Sequence, residues 1–166
     1  MKKVGFIGLG RMGKAMALNM ARKGFKLAVY DINDEPMQAF TEFNLCRQAA
    51  DANDAAKGAE ITITVLPGPA ELESVALAEG GMIDNLPDGA ILMDHSTVLP
   101  ETSDQLASAA RARGCQFVDA PIGRLASHAD AGECLFMVGA EPNIFDKVKP
   151  VLEAMGTTIL YCGPPG

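Results

Sequence analysis

Residues 4–13 read Val4-Gly5-Phe6-Ile7-Gly8-Leu9-Gly10-Arg11-Met12-Gly13, and no other ten residues of the chain restrict its fold as tightly. A short apolar run predicts a buried strand, and the amphipathic spacing over Met12-Lys23 predicts a helix directly after it. The G-x-G-x-x-G between them predicts a turn built for phosphate. Gly8 permits the tight bend, Gly10 lets a pyrophosphate reach the backbone, and Gly13 lets the helix lie close on the strand. The first amides of such a helix have no intrahelical partner and face the phosphates.

The rest of the chain repeats the same alternation. Strands are expected at Lys3-Gly8, Lys26-Tyr30, Glu60-Leu66, Ala90-Asp94, Gln116-Asp119, Cys134-Val138 and Thr157-Tyr161. Helices are expected at Met12-Lys23, Glu35-Glu42, Asp51-Lys57, Ala70-Ala78, Pro100-Arg113 and Asn143-Met155. Gly24 and Gly114 stand where helix ends want a left-handed residue. Apolar strands alternating with helices imply an α/β, doubly wound, mostly parallel sheet, whose ligands bind beyond the carboxyl ends of its strands. The loops after Gly8, Tyr30, Leu66, Asp94 and Asp119 are therefore the places to look for a site.

Asp31 closes the second expected strand, 23 residues after Gly8, where a carboxylate can accept from ribose hydroxyls. The same charge repels a 2′-phosphate, so NAD is favoured, with NADP as the alternative if Arg11 and Lys14 serve as phosphate partners. A net charge of −7 excludes a general nucleic-acid or anionic-membrane surface. No apolar run approaches the ~20 residues of a membrane span. Cys46, Cys115, Cys134 and Cys162 are too scattered for a metal set and read as small buried apolar residues, which suits a reducing, cytoplasmic compartment.

Three segments together are more specific than the first glycine motif. Gly8-Leu9-Gly10-Arg11-Met12-Gly13-Lys14-Ala15-Met16-Ala17-Leu18-Asn19 resembles the G-x-G-x-M-G-x-x-M-A-x-N signature of the β-hydroxyacid dehydrogenases. Asp94-His95-Ser96-Thr97-Val98-Leu99-Pro100 resembles their D-x-S-T-x-x-P segment, and Asp119-Ala120-Pro121-Ile122-Gly123 through Gly132 their substrate loop. The resemblance implies a Rossmann-type cofactor domain over residues 1–162, with Gly163-Pro164-Pro165-Gly166 opening the hinge into an all-helical carboxyl-terminal domain. That further domain would carry the catalytic lysine, so no catalytic residue is expected in this chain, and it would build a homodimer or homotetramer. This chain alone is expected to fold and to bind NADH weakly without turnover; the alternatives are a non-catalytic NAD-binding module and the cofactor half of an imine reductase, which shares this fold but lacks the lysine.

By the same resemblance, Arg11 and Met12 lie over the pyrophosphate, Leu66 and Pro67 line the cofactor groove, and Thr97 meets the nicotinamide end. Ser96, Gly123 and Arg124 are the expected substrate contacts. The family's usual serine and paired glycines are replaced here by Gly123, Arg124 and Leu125, which resembles the P-V-G-R variant of its sulfolactaldehyde reductase branch. A guanidinium there implies a small anionic substrate, a sulfonate or a carboxylate. The alternative for Arg124 is a solvated residue or an ion pair with Asp130 or Glu133. His95 and His128 are read as structural or solvent-facing, and no metal site is expected.

Overall fold

Residues whose side chains must be buried on both faces form the centre of the sheet, because parallel strands are covered by helices on both sides. The computed structural model describes residues 2–166. Its strands are β1 (Lys3–Ile7), β2 (Lys26–Tyr30), β3 (Cys46–Gln48), β4 (Ile61–Thr64), β5 (Ile91–Asp94), β6 (Gln116–Asp119), β7 (Ile122–Gly123), β8 (Cys134–Gly139) and β9 (Gly156–Gly163). The helices are α1 (Arg11–Arg22), α2 (Ala52–Ala56), α3 (Pro69–Ala76), α4 (Pro100–Ala112), α5 (Ala126–Asp130) and α6 (Pro142–Glu153), with short 3₁₀ turns at Glu35–Phe40 and Ile83–Asn85.

Hydrogen-bonded neighbours follow the order β3-β2-β1-β4-β5-β6-β8-β7, and β9, off this path, also pairs with β8. From β3 to β6 every pairing is parallel, whereas β8 runs antiparallel to β6 and β7 and parallel to β9. Two apolar layers sandwich this sheet. Val4, Phe6, Met16, Met20 and Val29 belong to the layer that also holds α1 and α6. Ile7, Ala55, Leu72, Leu92 and Leu106 belong to the layer under α2, α3 and α4. All four residues of β4 and of β5 are buried, as central strands require.

The expected doubly wound, mostly parallel sheet is thus the observed one, and its differences from expectation are local. Glu35–Phe40 is 3₁₀ rather than α-helical, since the proline and the brevity of the segment leave little room for regular i→i−4 bonding. β3 was not expected; its three half-exposed or exposed residues pair only with β2 and carry no apolar period. α5 and β7 were not expected either, being too short for any periodicity. Gly24 and Gly114 do adopt left-handed backbone, with φ of 82° and 72°. The cysteines divide: Cys115 and Cys134 are buried, Cys46 is half-buried, and Cys162 is exposed, contrary to the expectation that all four are buried. The reason is that β9 is an edge strand, with Leu160, Tyr161 and Cys162 on open surface. Among the described residues no helix is long and apolar enough to cross a membrane.

Candidate functional site: a dinucleotide groove

The glycine turn connects β1 to α1 at the carboxyl end of the sheet. Gly8 has φ of 96°, and a Cβ there would collide with the Val65 carbonyl of the chain leaving β4. A Cβ on Gly13 would collide with the Gly8 carbonyl, so α1 lies as close to the turn as backbone allows. Gly10 differs. A Cβ on it meets no protein atom within 4 Å, and Gly10 lines the groove, so any side chain here would stand in the groove itself.

Helix α1 begins without a side-chain cap, and its first internal bond runs from Lys14 N–H to the Gly10 carbonyl at 2.9 Å. The amides of Arg11, Met12 and Gly13 are therefore left to whatever occupies the groove. They lie at the positive end of the helix dipole.

Asp31 sits beside this turn and has two jobs. Its Oδ2 accepts from Leu9 N–H at 2.7 Å and its Oδ1 from Asn33 N–H at 2.9 Å, so it braces the glycine turn while facing the groove. A carboxylate has about four acceptor sites, which leaves capacity for a ribose diol. The groove encloses about 650 Å³ and continues between Tyr30, Ile32 and Pro36 on one side and Val65, Leu66, Pro67 and Val75 on the other. Ile32 is 87% exposed and lines this groove. An apolar slot, an acceptor pair and a row of free amides are what the rings, the ribose and the pyrophosphate of a dinucleotide require, so the residues present fit that group.

The D-x-S-T segment shapes the groove from behind. Asp94 Oδ1 accepts from Thr64 Oγ1–H at 2.7 Å, from Ser96 Oγ–H at 2.7 Å and from Ser96 N–H at 3.2 Å. The Ser96 hydroxyl in turn accepts from Leu66 N–H at 3.0 Å. This chain of bonds ties the ends of β4 and β5 together and fixes Leu66, one wall of the groove. Ser96, expected at the substrate, is buried and donates its only hydroxyl proton to Asp94. Thr97, the next residue, is exposed.

Burial raises the Asp94 carboxyl to about 6 and the nearby Asp119 charge adds to this, outweighing the hydrogen bonds from Thr64 and Ser96 that pull it down. Among the described residues its Oδ2 has no partner. Next to it, His95 is buried against Phe136, with ring centroids 4.9 Å apart, and donates from Nδ1 to the Ala120 carbonyl at 2.6 Å. Burial lowers this imidazole to about 4, so it is neutral at physiological pH. His95 thus packs in the interior, in line with its structural reading, and His128 accepts from Leu125 N–H at 3.3 Å within its own turn.

Around the loop after β7, two arginines are tied to groups of the protein itself. Arg11 lines the groove at the start of α1, but its guanidinium makes a two-pronged contact with Asp130 of α5, 2.8 Å on one side, and holds that carboxyl below the usual range. Arg124 takes left-handed backbone, φ 75°, and reaches across the start of β8 to the Glu133 carbonyl at 2.9 Å and to Thr158 Oγ1 at 2.9 Å. Neither acid named as its alternative partner receives it through a carboxylate: Asp130 is taken by Arg11, and Glu133 offers its backbone. Gly123 lies against Leu135, where a Cβ would be tight at 3.0 Å.

Two contributors escaped the sequence reading. Ile32 follows Asp31 directly and needed only the idea that an apolar residue after a groove-facing acid faces the groove too. Asn19, quoted only as part of a signature, donates to the Ala129 carbonyl at 2.8 Å and so fastens α5 to α1. No spacing rule reports a contact between residues 110 positions apart.

A parallel sheet with a glycine turn, free amides at α1 and a groove-facing acid just past β2 defines a nicotinamide dinucleotide-binding domain. Residues 3–163 match the family described as the NAD binding domain of 6-phosphogluconate dehydrogenase. The chain belongs to that family. It is 34% identical over its whole length to an NAD-dependent L-serine dehydrogenase of Pseudomonas aeruginosa, of which it covers 55%. It is also 34% identical to the 3-sulfolactaldehyde reductase of Escherichia coli, again over all of this chain and 55% of the relative. A solved 3-hydroxyisobutyrate dehydrogenase of Salmonella typhimurium superposes with a TM-score of 0.93 at 26% identity, over 100% of this chain and 58% of that one. The chain spans about half the length of the curated relatives it matches.

Proposed function

We propose that this chain is the cofactor-binding unit, residues 1–162, of an NAD-dependent oxidoreductase that interconverts a small acidic alcohol and its carbonyl compound. The observation that carries the cofactor is the row of free amides at Arg11, Met12 and Gly13 facing the same groove as Asp31. In this reading Gly8, Gly10 and Gly13 shape the phosphate turn, Met12 covers it, Asp31 holds the adenosine ribose, and Leu66 and Pro67 with Thr97 lead toward the nicotinamide. Ile32 and Val75 flank the adenine. Hydride chemistry belongs to the bound nicotinamide; this chain positions it and disfavours a 2′-phosphate through Asp31, with NADP as the alternative cofactor. Calorimetric titration tests this, with NADH expected to bind more tightly than NADPH; the reverse order would overturn the role of Asp31.

For the substrate we propose a small anion, with 3-sulfolactaldehyde, reduced to 2,3-dihydroxypropane-1-sulfonate, as the specific candidate. Gly123-Arg124 supports it, together with the similarity to a 3-sulfolactaldehyde reductase. A carboxylate substrate, such as 3-hydroxyisobutyrate, tartronate semialdehyde or 4-hydroxybutyrate, is the second reading. In that reading Arg124 keeps its bonds to Glu133 and Thr158 and does not hold the substrate. Turnover by the protein joined to its carboxyl-terminal helical domain decides between them. Faster reduction of sulfolactaldehyde, with a KM raised at least tenfold by Arg124→Ala, supports the sulfonate; equal rates on the carboxylates sink it. The proton donor in this proposal is a lysine of that further domain, which also forms the homodimer or homotetramer. Four unpaired thiols support a reducing, cytoplasmic setting.

A further inference from the structure

At the amino ends of the strands, on the edge of the sheet opposite the glycine turn, lies a second recess of about 220 Å³. It is separated from the dinucleotide groove by the length of β1, roughly 17 Å for five residues. Its walls carry four cations, Lys3, Lys26, Arg47 and Lys57, in a chain whose net charge is −7.

Their convergence follows from register. Lys3 and Lys26 are directly paired across β1 and β2, as Gly5 is with Ala28, and Ala28 is paired with Arg47 on β3. Side chains alternate along a strand, so these residues share one face. That face is the one covered by α2, because a Cβ on Gly5 would run into the Ala55 carbonyl. Lys57 caps the end of α2 above the same recess.

The charges are only partly balanced within the protein: Asp54, held low first by its bond with Arg47, also feels the charge of Lys57. Arg47 is committed to Asp54, with Nη1 2.7 Å from one carboxylate oxygen and Nη2 3.2 Å from the other. Glu60 accepts from the backbone N–H of Lys3 at 3.3 Å. Among the described residues, Lys3, Lys26 and Lys57 form no ion pair. Two like charges set directly opposite on paired strands are unfavourable without a counter-charge. Nothing in the dinucleotide groove uses them.

We propose that this recess is a second anion site, distinct from the cofactor groove, and that it takes a compact polyanion bearing two adjacent phosphoryl groups. Lysine ammoniums act as point charges suited to phosphate, while the planar fork that would select a carboxylate is already occupied in Arg47. Lys3 and Lys26, on strands about 5 Å apart, match neighbouring phosphoryl groups, and Lys57 closes on them from above.

The probe is inorganic pyrophosphate, titrated by calorimetry into the protein held with saturating NADH so that the glycine turn is filled. Pyrophosphate is expected to bind under these conditions, to weaken at least tenfold in the Lys26→Glu, Lys57→Glu double variant, and to weaken with added salt. The affinity for NADH should be the same in both proteins. In the unmodified protein, amide resonances of Lys26, Ala28 and Gly58 should shift with pyrophosphate while those of Gly10 to Gly13 stay with NADH, a result that does not depend on the variant folding. Absence of binding with NADH present, equal affinity in the double variant, or shifts confined to the glycine turn would overturn the proposal.

Discussion

The turn at residues 8–13 and the loop at residues 121–132 both stand at the carboxyl end of the sheet, yet they are built from different materials. The first is made of backbone. Its function depends on where carbonyls and amides lie, and the absent side chains of Gly8, Gly10 and Gly13 allow that arrangement. The second is made of side chains, and what it does depends on where the Arg124 guanidinium and the Asp130 carboxylate turn. Backbone shape is imposed by local sterics and is written in residue type; a side-chain partner is chosen among distant groups that meet only after folding.

That contrast is easiest to break at Gly13. With the Gly8 carbonyl already in the place of its Cβ, Gly13→Ala is expected to displace α1, to destabilise the domain by about 3 kcal/mol, and to weaken NADH binding by ~100-fold or more. A thermal melt paired with calorimetry reads both, and retention of affinity would mean the turn tolerates far more movement than its packing implies.

The buried pair behind the groove gives the next effect, visible in how stability follows pH. Asp94 titrates at about 6 when folded against a reference of 3.8, so the folded state holds the extra proton and this group's contribution falls as pH rises from about 4 to 6. His95 titrates at about 4 against 6.5, so the folded state holds fewer protons and its contribution rises with pH over nearly the same window. The two slopes oppose each other, each on the order of 3 kcal/mol in total. Asp94→Asn is expected to leave a stability that climbs from pH 4 to 6.5, and His95→Asn one that declines from pH 4 to 6. Denaturant midpoints across that range check the signs; matching slopes in the two variants would refute the account.

Asp31→Ala removes the brace on Leu9 and, in the proposed reading, the acceptor of the ribose hydroxyls. NADH affinity should fall about 10- to 100-fold, by ~1.4–2.8 kcal/mol, while NADPH falls less, so the preference between them narrows. Equal losses for both would confine Asp31 to bracing the turn. The smallest effect is expected at Arg11. Its guanidinium is already paired with Asp130 on open surface, so Arg11→Ala should change NADH affinity by no more than ~threefold. A larger loss would show that the arginine leaves Asp130 for the phosphate when cofactor binds.

Legibility tracked the same divide. The strands with apolar runs were readable, and β2 and β6 have the bounds expected for them. β3, β7 and α5 were not, because two to five residues cannot display a period. Within the site, the glycines and Asp31 stood where spacing placed them. Ser96 instead bonds to Leu66 and Asp94, and Arg124 to Glu133 and Thr158, choices no local pattern encodes.

By itself, then, the sequence determined the α/β alternation, the phosphate turn and the acid at the end of β2. Each of these rests on conformational limits acting over a few neighbouring residues. Only the tertiary structure decided that Ser96 supports a groove wall, that Asn19 and Arg11 anchor α5, and that Lys3, Lys26, Arg47 and Lys57 share one recess. Those outcomes depend on strand register and on which groups remain without partners once the sheet has formed, and both are properties of the folded chain as a whole.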